Sequence, residues 1–143
     1  MSAPTAMTPA NLLRGGCYCG AVRYQTDGVA SHITNCHCTI CRRTTGAPFM
    51  GWFSVPVERF VFTQGVPTFY HSTPDGRRSF CSTCGTQLTF NHANDPELID
   101  ITICSLDDPE QFAPESHIHV STKLKWLHLH DDQPSYLNAR EDG

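Results

Sequence analysis

The chain has 143 residues, a net charge of −4 with histidine neutral, and 39% hydrophobic residues, which fits one ordinary domain. Its 10 Lys and Arg form no long run, Arg42-Arg43 and Arg77-Arg78 being pairs and not stripes, so no polyanion-binding footprint is present and nucleic acid is not an expected partner. No apolar run nears the ~18 residues of a membrane span, and residues 1–16 lack the apolar core of a signal peptide.

In chain order, residues 1–10 read as a flexible tail of Ser, Thr, Ala and Pro, and residues 11–130 as a single zinc-binding β domain. Ala21–Gln25 alternates apolar and polar residues and reads as a strand, as does Gln87–Asn91. Phe49–Val55, Val66–His71 and Leu98–Cys104 are rich in β-branched and aromatic residues and read the same way. Turn residues punctuate these runs at Asp27-Gly28, Gly65, Pro67, Pro74-Asp75-Gly76 and Asp108-Pro109. The class is mainly β and antiparallel, with one or two short helical turns. Thr39 is expected to cap a short helix over residues 40–45, which Gly46 ends. Residues 131–143 read as a polar, fraying tail.

Seven of the eight cysteines fall into three clusters: Cys17 and Cys19, then Cys36, Cys38 and Cys41, then Cys81 and Cys84. In a reducing, cytoplasmic setting, which is the default expectation for such a chain, clustered cysteines read as metal ligands and not disulfides. Cys17, Cys19, Cys81 and Cys84 make a closed four-sulfur shell suited to a structural Zn²⁺. Gly20 and Gly85, each following the second cysteine of its pair, permit the left-handed turn that aims backbone N–H groups at sulfur. The other division joins Cys17 and Cys19 to the middle group. It leaves Cys81 and Cys84 as a two-ligand remnant without a thioredoxin-like context.

Cys36, Cys38 and Cys41 then supply three ligands of a second site. Water, a bound thiol or a histidine such as His37, His71, His92 or His117 could be the fourth. Three thiolates with an open position favour capture of a soft ligand, namely a substrate thiol. The lone Cys104 is expected in the core. The pairs His117/His119 and His128/His130 would each share one strand face. Trp52 and Trp126 are expected as core or pocket wall.

The segments Gly16–Tyr24, Cys36–Pro48 and Phe80–Gly85, with His117-Ile118, Lys123 and Trp126, resemble the glutathione-dependent formaldehyde-activating enzyme family. The resemblance runs from about Leu13 to Trp126. It implies an Mss4-like fold of zinc-bound antiparallel β-sheets. It also implies Cys17, Cys19, Cys81 and Cys84 as structural zinc ligands and Cys36, Cys38 and Cys41 as the catalytic set. The implied activity is that of a carbon–sulfur lyase of the S-(hydroxymethyl)glutathione synthase type. A small thiol such as glutathione and a small aldehyde such as formaldehyde would be the partners. Arg42 and Arg43, beside the second cluster in sequence, would line a basic rim for the carboxylates of glutathione, with Lys123 as a further candidate. The family also includes a vertebrate centromere-associated protein, so a non-catalytic, zinc-stapled interaction module is the competing expectation.

Overall fold

The computed structural model describes residues 7–139. In chain order its strands are β1 (Leu13–Gly16), β2 (Arg23–Thr26), β3 (Ser31–Cys36), β4 (Met50–Pro56), β5 (Phe60–Gln64), β6 (Thr68–His71), β7 (Gly76–Phe80), β8 (Gln87–His92), β9 (Leu98–Thr102) and β10 (Ser116–Ile118). One α-helix, α1 (Thr39–Thr45), lies between β3 and β4. The mainly β class is therefore observed.

The strands form two sheets. A three-stranded sheet runs β1-β2-β5, and a seven-stranded sheet runs β10-β3-β4-β9-β8-β7-β6. Between these strands every pairing is antiparallel but one: β10 lies parallel to β3, with His117 opposite Asn35. The chain reaches that edge by a crossover from β9, which brings it alongside β3 in the same direction.

β4 explains why residues 49–55 read as one apolar burst. Trp52, Phe53, Ser54 and Val55 are all buried, so the strand is covered on both faces. Phe53 and Val55 join Ile99, Ile101, Ile103, Leu88, Val22 and Tyr24 in the main core. Trp52 joins Cys36 and Cys41 in a second cluster, against which Phe90, Met50 and Ile118 pack. Leu88 is the extra residue of a bulge, since Ser79 pairs with Thr89 but Phe80 with Gln87.

The helix begins one residue earlier than expected. Cys38, not Thr39, is the N-cap: its sulfur accepts the N–H of Cys41 at 3.3 Å. A sulfur in the capping position leaves Thr39 free to take the first helical turn. Gly46 ends the helix in the left-handed region (φ 68°), as expected from sequence.

The N-terminal tail lies largely outside the described residues. The polar C-terminal segment does not fray where it is described. Pro134 accepts the N–H of His117 at 2.9 Å, and Tyr136 returns its own N–H to the His117 carbonyl at 2.9 Å. Asn138 accepts from His119 at 3.0 Å. Backbone pairing to the β10 edge holds a segment that composition alone marks as loose. No described helix is long and apolar enough to cross a membrane.

Candidate metal centres and the adjoining cavity

Two matched loops build the first centre. The N–H of Cys17 bonds the Val22 carbonyl and that of Cys81 bonds the Thr86 carbonyl, both at 3.0 Å. Inside each loop a glycine turns the chain back: Gly20 (φ 82°) onto Cys17 and Gly85 (φ 83°) onto Cys81. A Cβ at either glycine would meet nothing within 4 Å, so the left-handed backbone is what calls for glycine there. The loops bring the sulfurs of Cys17, Cys19, Cys81 and Cys84 within 4.8 Å of one another. Cys17 and Cys19 are 3.6 Å apart, and Cys19 and Cys81 are 3.8 Å apart. A tetrahedron with Zn–S bonds of about 2.3 Å has an edge of about 3.8 Å, so the donor set fits zinc. The Thr86 hydroxyl, then the backbone N–H groups of Thr86 and Cys19, hold the Cys84 thiol down to about 5. These groups favour the thiolate that a metal needs.

The second centre joins the end of β3 to α1. Cys36, Cys38 and Cys41 lie within 4.8 Å of one another, and among the described residues no imidazole or carboxylate joins them in that sphere. Their three-sulfur set also fits a soft ion such as zinc. Hydrogen bonds from the thiols of Cys36 and Cys41 and from the Cys41 backbone N–H push Cys38 well below the usual thiol range. Its hydrogen bonds to the Cys38 and Cys41 sulfurs, then burial, push Cys36 up.

These three cysteines stand at one end of a cavity of about 550 Å³. Its floor is one face of the seven-stranded sheet. Cross-strand register places Arg78 opposite Phe90, Phe90 opposite Asp100, and Asp100 opposite Ser54. Trp52, Thr34 and His32 extend that floor, and Ile118 and His119 form a wall. The Ser54 hydroxyl donates to Asp100 Oδ1 at 2.6 Å, while burial pushes the Asp100 carboxyl up.

The histidines divide differently from the sequence expectation. His117, fully buried on β10, donates from Nε2 to Asp131 Oδ2 at 2.7 Å. Its Nδ1 shares a hydrogen bond of 2.9 Å with His37 Nε2. Burial, then the neighbouring His117, lowers His37 to about 4, so its ring is neutral. His37 thus turns to His117 and not to the sulfurs. His119 follows the strand in a left-handed conformation (φ 56°), which breaks the alternation and sends it to the cavity. The expected shared face is absent. His128 and His130 lie outside any strand, 6.5 Å apart between ring centres. His71 is exposed on β6, whereas His92 lines the cavity without joining the sulfurs.

Two further expectations, on Cys104 and Trp126, are corrected. Arg42 and Arg43 do not line the cavity: Arg42 lies one residue beyond Cys41 on the helix and donates to the Thr122 carbonyl at 3.0 Å. Lys123 likewise caps the carbonyls of Leu124 and Leu127. Cys104 is exposed, because β9 stops at Thr102 and a 3-10 turn rotates the next residues. Trp52 is buried wall, as expected, but Trp126 is 66% exposed. Among the described residues the Lys or Arg that lines the cavity is Arg78. Its own neighbours in sequence carry no ligand signal; only the register with Phe90 brings it to the floor.

Comparisons with known proteins agree with the site. The family model described as glutathione-dependent formaldehyde-activating enzyme matches residues 12–122. A Halomonas elongata protein provisionally named a glutathione-dependent formaldehyde-activating enzyme is 30% identical over 132 residues, covering 82% of this chain and 81% of that protein. An uncharacterized lyase of Schizosaccharomyces pombe is 32% identical over 80 residues, 56% of this chain and 58% of that protein. A crystal structure of a Rhodobacter sphaeroides protein shares the fold at a TM-score of 0.58 and 18% identity, covering 86% of this chain and 98% of that one. With the cysteine loops, the cavity and the extent of these matches in view, the chain belongs to the glutathione-dependent formaldehyde-activating enzyme family.

Proposed function

We propose that the protein is a zinc-dependent carbon–sulfur lyase-type enzyme that adds a thiol, glutathione or a similar one, to formaldehyde or another small aldehyde. The observation that carries this reading is a three-sulfur cluster with no fourth protein ligand among the described residues, facing a cavity large enough for a small peptide. Cys17, Cys19, Cys81 and Cys84 hold a structural zinc that staples residues 17–20 to residues 81–85. Cys36, Cys38 and Cys41 hold the second zinc, which when bound supplies an open position for a substrate thiolate.

The thiol gives up its proton to solvent, and its sulfur lone pair attacks the aldehyde carbon. A C–S bond forms, the C=O π pair moves to oxygen, and that oxygen takes a proton to give the S-hydroxymethyl adduct. The protein contributes position: β3 and α1 fix the three sulfurs, and Trp52, Phe90 and Ile118 wall off water around the reacting pair. The competing reading, a non-catalytic interaction module, calls for a fourth protein ligand and no cavity, and both features of the second centre weigh against it.

A metal count and a binding measurement test the proposal. Two zinc ions per chain are expected, and glutathione should bind the zinc-loaded protein and protect Cys36, Cys38 and Cys41 from alkylation. Failure of every thiol to bind or protect would falsify the reading, even if both metals are present.

A further inference from the structure

The end of β10 carries one imidazole into the cavity. His117 and Ile118 lie in the strand, and His119 leaves it in the left-handed region, at φ 56° and ψ 37°. Residues with a side chain adopt that conformation rarely, and mostly where surrounding structure holds them in it. Here the backbone is tied on both sides. The His119 N–H donates to the Asn138 carbonyl at 3.0 Å, and the His119 carbonyl accepts from the Thr122 N–H at 3.2 Å and the Thr122 hydroxyl at 3.1 Å. One residue earlier, the Ile118 carbonyl accepts the N–H of His37, the residue between Cys36 and Cys38, at 3.0 Å. His119 lines the cavity together with Cys36, Cys38 and Cys41, near enough to Cys38 for its charge to act on that thiol.

Three other polar side chains near the sulfurs are already committed. The Thr34 hydroxyl donates to the Ser116 carbonyl at 3.0 Å and accepts from the Ser116 hydroxyl at 2.9 Å. Arg78 donates to Ser72 and Cys41, and its remaining nitrogen is enclosed. His37 is turned to His117. The His119 ring is only partly buried and meets no hydrogen-bond partner among the described residues. A ring held by its backbone, with its donor unspent beside the sulfur cluster, is preorganised to meet an oxygen that gains charge.

We infer that His119 is a catalytic residue, its imidazole N–H donating a hydrogen bond to the aldehyde oxygen as the C–S bond forms. The role rests on the thiol-addition reading and assigns the group that meets the oxygen. The substrate sulfur attacks the carbonyl carbon, and the C=O π pair moves to oxygen, one bond away, against the wall that Ile118 and His119 form. The N–H stabilises the charge growing there. Solvent, which took the thiol proton, returns one to the oxygen, and the ring ends unchanged. An imidazole carries an N–H donor whether charged or neutral, so the role does not depend on its titration. The bond strengthens only as charge develops, so it acts on the rate and not on thiol binding.

The test pairs two measurements on the zinc-loaded protein. Exchange NMR follows glutathione and formaldehyde interconverting with the S-hydroxymethyl adduct, and calorimetry follows glutathione alone. His119→Gly removes the ring at a backbone that suits glycine, so it should keep the fold and both zinc ions. It should lower the protein-catalysed exchange about tenfold or more while glutathione affinity stays within about twofold. His119→Gln, which restores an N–H donor, should recover exchange to within about threefold of native. His119→Leu, also without a donor, carries the comparison should the glycine variant not fold. Native-like exchange without the ring, a glutamine variant as slow as the glycine one, or a loss of affinity equal to the loss of rate overturns the inference and leaves thiol addition standing. A count of one zinc in His119→Gly makes the ring a ligand and overturns it too. Absence of any acceleration by the native protein defeats the thiol-addition reading and the inference with it.

Discussion

The two cysteine centres use the same ligand in opposite settings. The first sits in two surface loops, with Cys19 and Cys84 exposed and backbone N–H groups as its main neighbours. The second is set between a strand and a helix, with Cys36 and Cys41 buried, Arg78 touching Cys41, and a cavity beyond. Four sulfurs close a coordination shell and link distant segments; three sulfurs leave it open toward space that can hold a substrate. On the proposed reading, the three-sulfur set and the cavity around it separate the reactive centre from the structural one.

The largest test of that contrast is Cys81→Ser. It removes a ligand from the closed centre, which joins residues 17–19 to residues 81–84. A structural zinc contributes about 10 kcal/mol or more to folding in small domains, so cooperative thermal unfolding should be lost. Retention of a native-like melting transition would break the division between the centres.

Cys38→Ser should act differently. Serine is a good N-cap, so α1 should persist, with stability changing by no more than about 1 kcal/mol apart from the lost metal. One zinc of two should disappear from the metal count, and thiol binding should vanish while the fold remains. A collapse comparable to that of Cys81→Ser would show both centres to be structural.

Asp131→Ala is a subtler probe of the second centre's support. It removes the acceptor of His117, whose other nitrogen meets His37, the residue between Cys36 and Cys38. The expected loss is about 1 kcal/mol by chemical denaturation. In a chelator competition the second zinc should leave faster and the first should be unaffected; equal acceleration of both would remove the special tie.

The smallest effect lies away from both centres. The Arg59 guanidinium, then the Thr8 N–H, hold the Asp27 carboxyl down to about 2 from an ordinary 3.8. A depressed carboxyl stabilises the fold fully above its ordinary value, and that contribution is lost as pH falls from about 4 toward 2. Metal release also weakens the fold in acid as thiolates protonate. Asp27→Asn should flatten only the part of the acid limb between those values when melting temperature is followed against pH. An identical acid limb would assign the whole loss to the centres.

Much of the candidate site is written locally. Cysteine spacing, the glycines at 20 and 85, and Gly46 after a short helix are signals contained within a few residues, and backbone geometry bears them out. The readings that failed depended on partners far along the chain. Alternation placed His117 and His119 together, but a single left-handed residue separated them. The polar stretch after residue 130 looked loose because its hydrogen-bond partners lie on β10.

By itself, then, the sequence determined the mainly β class, the cysteines brought to two unequal clusters, and the family. These follow from residue types at short fixed spacing, which local backbone geometry converts directly into shape. Tertiary structure decided what faces the open cluster. Arg78, Phe90, Asp100 and Ser54 come from four strands, and only their hydrogen-bonded register sets them in one row beneath the cavity. Register is a long-range property, fixed by which faces the core buries, and no short window of sequence contains it.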